Sequence, residues 1–293
     1  MDANIVLNTR VKQKDSSRAV VIAVTASSVF DLEEEEGPGR DSAANENEPF
    51  KMGAAFAFIK AVQRVNEKLL ERDAKETLLF DVMLVSKSGS SNSRSRTKGS
   101  TVHYGLEIGR FCFCGPEEDF TEPLRSNHVK LFLSTARDDV SKAWERGVPA
   151  ALLYPQSVPD STGPLRVLFM GDVLGLTDET APVLEELGFS KTQLQHITAV
   201  KGAMREFARC VGEMRRRFRL ERSPIRTCLV VAWSPSEACA RALKTLRGWG
   251  LEVDEAFNLA GAPRGPILAQ VRPHVLYDHG LPNPHGVPPE FRR

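Results

Sequence analysis

The segment Tyr104-Gly105-Leu106-Glu107-Ile108 recurs later in the chain as Trp249-Gly250-Leu251-Glu252-Val253. The two glycines are 145 residues apart, at positions 105 and 250. The same offset aligns three more pairs of segments: Ile22-Ala23-Val24 with Val167-Leu168-Phe169, Met83-Leu84-Val85 with Cys228-Leu229-Val230, and the helical pattern around Ile59 with that around Met204. Because this period is far longer than those of solenoid repeats, we interpret the chain as two similar lobes.

The apolar pattern within each lobe alternates between two kinds of segment. Ala19 to Val24 is a continuous apolar run, which is typical of a buried parallel strand, and Phe80 to Val85 is the next predicted strand. Between them, Ala54 to Leu70 has apolar residues at helical spacing. Alternating strands and helices predict the α/β class, with mainly parallel sheets in two Rossmann-like lobes.

Changes in composition predict where the lobes begin and end. We expect a flexible N-terminus over residues 1–18, a first lobe over 19–155, a second lobe over 165–279 and a flexible tail over 280–293. The joint between the lobes is rich in Pro, Ser and Gly. Ser86 to Ser100 is rich in Ser, Lys and Arg, so it could cradle an anion, but a flexible polar loop is the favoured interpretation.

Composition excludes several classes of function. The chain has 293 residues, 41% of them hydrophobic and 26% charged, as in soluble globular proteins. It has no apolar run near the roughly 18 residues of a membrane helix, so no membrane partner is expected. A net charge of +1 gives no reason to expect a nucleic-acid partner. Five cysteines without a framework spacing indicate a reducing compartment, so we expect the cytoplasm.

Four loops of the second lobe should meet at the carboxyl edge of its sheet. They are Phe169-Met170-Gly171-Asp172, Val231-Ala232-Trp233, Ala262-Pro263-Arg264-Gly265 and Tyr277-Asp278-His279. Together with the stretch from Ala242 to Glu252, these motifs resemble the cytosolic 5'-nucleotidases of type I, a family with a haloacid dehalogenase-like fold. The resemblance runs from about Ala19 to about His279.

The resemblance implies hydrolysis of nucleoside monophosphates, AMP above all, with Mg²⁺ as cofactor. In the family the first loop reads Phe-Asp-Gly-Asp, and its first aspartate forms an aspartyl-phosphate while its second acts as general acid and base. A carboxylate nucleophile divides the displacement into two steps. Here Met170 occupies the nucleophile position and Asp172 the acid/base position, and Gly171 of the same loop is assigned to phosphate binding. Because a thioether is neither a phosphoryl acceptor nor a ligand for a hard cation, Met170 removes both functions.

The other loops depart from the family as well. Val231 replaces the threonine whose hydroxyl binds phosphate, and Arg264 replaces a lysine, which keeps the charge but changes its geometry. Asp278 remains as a metal ligand, followed by a histidine where the family has a second aspartate. At the duplicated positions, the first lobe has Thr25 and Ser27, which could bind phosphate or ribose or be ordinary polar loop residues.

Three functions therefore stay open on the sequence. The first is a 5'-nucleotidase homologue with lost or strongly reduced catalysis that still binds a nucleotide. The second is an active Mg²⁺-dependent enzyme in which Asp172 activates water directly. The third is a non-catalytic scaffold or regulator that acts on active relatives. The sequence also leaves a homo-oligomer open, because no oligomer surface can be identified from it.

Overall fold

The structure is a computed structural model, and it describes residues 4–32, 48–88, 90–115, 118–154, 163–174, 191–218, 222–232 and 236–277. The chain divides into two compact units, Met1–Gly163 and Pro164–Arg293. In the described residues no helix is both long enough and apolar enough to cross a membrane.

The first unit is built on a mainly parallel sheet. Its strands are β1 (Ile5–Leu7), β2 (Val20–Thr25), β3 (Phe30–Asp31), β4 (Lys51–Met52), β5 (Phe80–Ser86), β6 (Ile108–Phe113), β7 (Leu131–Ser134) and β8 (Ala150–Leu153). The sheet order is β1-β6-β5-β2-β7-β8, with only β1 antiparallel, while β3 and β4 form a separate antiparallel pair. The helices are α1 (Ala26–Val29), α2 (Phe56–Arg72), α3 (Ser91–His103), α4 (Thr121–Ser126) and α5 (Arg137–Glu145).

The second unit repeats the central part of this arrangement. Its strands β9 (Leu165–Met170), β10 (Ile225–Val231), β11 (Glu255–Asn258) and β12 (Val275–Tyr277) are all parallel, in the order β12-β9-β10-β11. Its helices are α6 (Gly171–Leu174), α7 (Lys191–Arg215), α8 (Ser236–Gly248) and α9 (Gly265–Val271). The order matches β7-β2-β5-β6 of the first unit. The predicted α/β class, with mainly parallel sheets in two similar Rossmann-like lobes, is therefore confirmed.

The repeated glycines end equivalent helices in the same way. Gly105 and Gly250 follow α3 and α8 with φ angles of +57° and +84°, a region that glycine enters without steric cost. After α3, the Leu106 N–H donates to the Thr101 carbonyl oxygen at 2.8 Å, and after α8 the Leu251 N–H donates to that of Leu246 at 3.0 Å. Both ends are Schellman caps, which explains why the Gly-Leu-Glu motif is the clearest trace of the duplication.

Two predictions for the first unit require correction. Residues predicted to be a flexible polar loop form α3, because Ser90 caps the helix by accepting the Ser93 N–H at 3.1 Å. The hydroxyls of this helix face inward as well as outward, so the sequence lacks the apolar period that normally indicates a helix. Ile5–Leu7, within the stretch predicted to be flexible, forms β1 on the edge of the sheet beside β6. Its pairing partner lies over a hundred residues away, beyond local sequence signals.

Close packing between α7 and the turn after α8 gives a stability prediction. A Cβ on Gly212 would collide with the backbone of Gly250, whose carbonyl carbon would lie 2.8 Å away, whereas a Cβ on Gly202 would meet nothing within 4 Å. We expect Gly212→Ala to lower the free energy of unfolding by about 1–3 kcal/mol, because backbone atoms must shift. Gly202→Ala, on the same helix, should be neutral or stabilise by up to about 1 kcal/mol. Urea denaturation of both variants checks this, and equal effects would contradict it.

Candidate functional site

The predicted catalytic loop lies at the carboxyl end of the central strand of the second unit. Strand β9 ends at Met170, which pairs with Val230, so Gly171 follows beside Val231 on the neighbouring strand. On its other side β9 pairs with β12, and the direction of chain progression reverses between these two strands. Such a switch point is where parallel α/β sheets form their ligand crevice. Met170, Gly171, Asp172 and Val231 are therefore brought together where a substrate site is expected.

Met170 is almost completely buried, with 1% of its surface exposed. It is the last residue of β9, directly before the helix α6 that carries Asp172. A buried thioether has no ionisable oxygen and accepts hydrogen bonds only weakly. The side chain at the position that the resemblance assigns to the nucleophile is therefore packed as part of the apolar core.

Asp172 is fully buried, at 0% exposure, in the first turn of α6. Its Oδ2 accepts the backbone N–H of Ala232 at 2.9 Å, which links the loop after β9 to the loop after β10. An ionised carboxylate in such a site needs hydrogen-bond donors to offset its desolvation. The carboxylate at the acid/base position thus has a structural role in holding the two loops together.

Gly171 and Val231 fit closely against each other. A Cβ on Gly171 would lie 2.7 Å from Cγ2 of Val231 and 2.8 Å from Cδ1 of Leu229. Side chains of β10 therefore occupy the space beside Gly171, and only glycine leaves room for them. Val231 is itself fully buried, so an apolar methyl group lies where the family's phosphate-binding hydroxyl is expected.

The remaining predicted residues of the second unit lie in two other loops. Arg264 is the N-cap residue of α9 and is partly exposed, so its guanidinium can reach solvent. Pro266 lies in the first turn of this helix, where a backbone N–H would have no partner within the helix. Asp278, the predicted metal ligand, lies outside the described residues, which end at Tyr277 in this region.

Tyr277, the last residue of β12, is one whose environment sequence reasoning missed. Its ring is fully buried and stacks on Phe169 at 5.4 Å, and its hydroxyl has no hydrogen-bond partner among the described residues. Burial raises the pKa of Tyr277 well above its ordinary value. The sequence cannot distinguish a tyrosine at the site from an ordinary core residue, because both occur in apolar strands.

In the first unit, the equivalent edge of the sheet carries hydroxyl groups. Thr25 Oγ1 donates to Ser134 Oγ at 3.3 Å, and Ser134 Oγ donates to Asp139 Oδ2 at 3.1 Å. Ser28 Oγ lies 2.6 Å from Thr25 Oγ1 and 3.0 Å from Thr135 Oγ1. Because each hydroxyl has one proton, Ser28 must donate to Thr25, and Thr135 to Ser28. The protons of all four hydroxyls therefore point along one chain toward Asp139.

This hydroxyl chain affects the prediction that Thr25 and Ser27 of the first unit bind phosphate. The proton of Thr25 is already donated to Ser134, so a bound phosphate would have to replace that hydrogen bond. Ser27 is exposed at the same edge. Sequence reasoning missed Ser28, Thr135 and Asp139, because their roles depend on contacts between β2 and β7 that have no local pattern. Phosphate binding by Thr25 and Ser27 stays a prediction.

The described donor set does not fit a magnesium ion. Mg²⁺ takes oxygen ligands in near-octahedral geometry, usually including one or two carboxylates. At the end of β9 the described residues offer one carboxylate, Asp172, which already accepts a backbone N–H, and the sulfur of Met170. Within the described ranges, no group of three His, Cys, Asp or Glu side chains could hold a metal.

Comparisons with known proteins agree with the motifs. The family model of 5'-nucleotidases matches residues 12–283. Human cytosolic 5'-nucleotidase 1B is 35% identical over 245 residues, which cover 80% of this chain and 40% of the human protein. The chain thus spans less than half the length of that relative. A solved structure of a Thermobaculum terrenum O-GlcNAc transferase mutant is 12% identical, and the match covers 87% of this chain and 47% of the chain in that structure. Its TM-score of 0.23 supports no conclusion about fold or function.

The family match covers both units, including all four motif loops of the second unit. The mainly parallel α/β architecture is consistent with the haloacid dehalogenase-like fold that the resemblance implied. From the extent of the match and the agreement in fold, we conclude that this chain belongs to the 5'-nucleotidase family.

Proposed function

We propose that this chain is a 5'-nucleotidase homologue that has lost most or all phosphohydrolase activity and still binds a nucleoside monophosphate such as AMP. The observation that carries the proposal is the buried Met170 at the end of β9. At this position a covalent mechanism needs a carboxylate, and a methionine sulfur cannot form an acyl phosphate. Loss of the nucleophile in a covalent mechanism typically costs several orders of magnitude in rate.

Two features near Met170 support the loss of catalysis. Val231 places a methyl group where a hydroxyl would donate to a phosphoryl oxygen, and removal of one such donor typically costs about 10²–10³-fold in rate. The poor fit of the described donors to Mg²⁺ also supports a loss of catalysis. When bound, Mg²⁺ would offset charge on the phosphoryl oxygens, and that contribution is lost if Mg²⁺ binds weakly. We therefore propose that Mg²⁺ binds this chain weakly.

Residual binding of a nucleotide is supported by what the loops retain. Arg264 at the start of α9 keeps a positive charge in the loop where the family has a lysine. The glycine of the first loop is also kept as Gly171, and the loops after β9 and β10 lie beside the switch point of the sheet. A guanidinium binds phosphate well through two parallel hydrogen bonds.

Direct attack by water is disfavoured by the environment of Asp172. A general base must lie within hydrogen-bond reach of the water that it activates. Asp172 has no exposed surface, and one of its oxygens already accepts the Ala232 N–H. Activation of water would require this hydrogen bond or the surrounding packing to change.

Phosphate release from AMP in the presence of Mg²⁺ tests the proposal. We expect the unaltered chain and Asp172→Asn to release phosphate at the same rate, no faster than a buffer control, because neither has a nucleophile. Release by the unaltered chain that disappears in Asp172→Asn would contradict the proposal and support water attack. AMP should raise the unfolding midpoint of the unaltered chain, and less so in Arg264→Gln. No rise in either would leave a scaffold as the function.

A further inference from the structure

Helix α3 in the first unit contains Arg94, Arg96 and Lys98 and no acidic residue of its own. Lys87, in the loop before the helix, forms an ion pair with Asp139 and is not counted with these cations. The helix has no acidic residue in its first turn. Because the N-terminus of a helix favours anions, this first turn combines the helix dipole with side-chain charge of the same sign.

The start of α3 lies at an edge where ligands are expected. Strand β5, which ends at Ser86, pairs with the central strand β2, and α3 begins five residues later. In parallel α/β sheets, ligands bind beyond the carboxyl ends of the strands. The loop between β5 and α3 corresponds to the loop between β10 and α8 in the second unit, through the constant offset along the chain.

Two buried hydroxyls on this helix have no hydrogen-bond partner within the described part of the chain. Ser93 Oγ in the first turn and Thr97 Oγ1 one turn later belong to residues that are 1% and 0% exposed. Ser100 and Thr101 on the same helix instead donate to the carbonyl oxygens of Arg96 and Lys98, both at 2.8 Å. Ser93 and Thr97 therefore do not point toward the carbonyl oxygens of their own helix. A buried hydroxyl without a partner is unfavourable and indicates a partner that completes it.

Packing alone does not require these hydroxyls. The offset of the duplication, from Gly105 to Gly250, places Ser93 on Ala238 and Thr97 on Ala242, and both alanines are equally buried in α8. An alanine thus fills the same place in the second unit without a polar group. Beside Ser93, the Arg94 Nε is also buried without a partner, while the guanidinium lies 5.4 Å from the ring of Phe113. Two neighbouring residues of the first turn therefore each have an unused donor.

We propose that the first turn of α3 is a binding site for a phosphoryl group, carried by inorganic phosphate or by a phosphate ester such as a nucleotide. Ser93 Oγ and Arg94 Nε donate to its oxygens, and the N-terminus of the helix and nearby cations balance its charge. A phosphoryl group suits these donors because it presents several strong acceptor oxygens and negative charge together. The site lies in the first unit and is independent of the function proposed for the second unit.

Calorimetric titration of the full chain with inorganic phosphate, at constant ionic strength, tests the site. We expect Ser93→Ala to weaken phosphate binding about tenfold or more, as for the loss of a hydrogen bond to a charged group. Ser95→Ala, an exposed serine on the same helix, should bind as the unaltered chain does. Equal binding by Ser93→Ala and Ser95→Ala would overturn the proposal, as would an absence of binding to the unaltered chain.

A second pair of variants keeps the test independent of how Ser93→Ala folds. Arg94→Gln and Arg96→Gln remove the same charge, but Arg96 Nε already donates to the Glu48 carbonyl oxygen at 2.7 Å. Arg94→Gln should therefore weaken binding more than Arg96→Gln, and equal effects would show attraction by charge alone and overturn the site. Arg264→Gln separates the two units, because phosphate binding lost only in that variant would belong to the second unit. Repeating the titrations with AMP distinguishes free phosphate from a nucleotide as the ligand.

Discussion

Met170→Asp combined with Val231→Thr is expected to release phosphate from AMP at least about a hundredfold faster than the unaltered chain. The aspartate restores a carboxylate nucleophile and a hard oxygen ligand for Mg²⁺, and the threonine restores a hydroxyl beside Gly171. Threonine has nearly the volume of valine, so it should fit the space beside Gly171 that Val231 fills. The Ala232 N–H already holds Asp172 close to this position, and the gain requires that this buried carboxylate reach the leaving group in the variant. The measurement is steady-state phosphate release with Mg²⁺ at saturating AMP.

Met170→Asn with Val231→Thr is the matched control for this gain. Asparagine has the shape of aspartate but cannot form an acyl phosphate, so this control should stay as slow as the unaltered chain. Adding Asp172→Asn to the active pair should remove the gain. If the aspartate pair folds and shows no gain, the site has diverged beyond these two positions, and the proposed nucleotide binding would lose its main support.

Asp254→Ala is expected to lower the free energy of unfolding by about 3–5 kcal/mol, because it leaves a buried guanidinium without its charged partner and with only the neutral oxygens of Thr227 and Glu252 as acceptors. Arg215 at the end of α7 donates to Asp254 Oδ1 at 2.7 Å, and both side chains are over nine-tenths buried. Asp254 Oδ2 also accepts the Thr227 N–H at 2.7 Å, so the carboxylate ties β10 to the segment before β11. Burial lowers the pKa of Arg215, and the attraction of Asp254 opposes that change. Urea denaturation measures the loss.

The exposed ion pair between Lys68 and Glu71 on α2 provides the control for this loss. Both side chains are more than half exposed, so Glu71→Ala should cost less than about 1 kcal/mol. Asp254→Asn keeps an acceptor for Thr227 but removes the charge, and should fall between the two. A loss in Asp254→Ala no larger than that in Glu71→Ala would show that Arg215 finds other partners or reaches water.

The duplicated motif allowed much of the fold to be predicted, because its physical basis is local. Glycine in a left-handed conformation ends α3 and α8 alike, and the following leucine completes both caps. From these fixed points the offset aligns β2 with β9 and β5 with β10, residue for residue. The continuous apolar run of β2 identified that strand, because a strand buried on both faces needs apolar residues throughout.

Helix α3 could not be predicted in this way. Its inward face is made of hydroxyls, and the apolar period that identifies a helix is absent. The helix forms because Ser90 caps it and the rest of the unit buries it, and neither effect has an apolar signature. The hydroxyl chain from Thr135 to Asp139 could not be predicted either, because its hydrogen bonds join residues that are far apart in the sequence. Its members come from β2, β7 and the segments that follow them.

The sequence by itself determined the family, the duplicated α/β plan and the residue types in the loop that the family resemblance assigns to catalysis. These follow from residue type, and a methionine at position 170 cannot act as a carboxylate in any fold. Only the tertiary structure decided that Asp172 is buried against Ala232, that Val231 fills the space beside Gly171, and that Ser93 lacks a partner among the described residues. Burial and hydrogen bonding arise between segments far apart in the chain, and therefore depend on how the strands and helices pack.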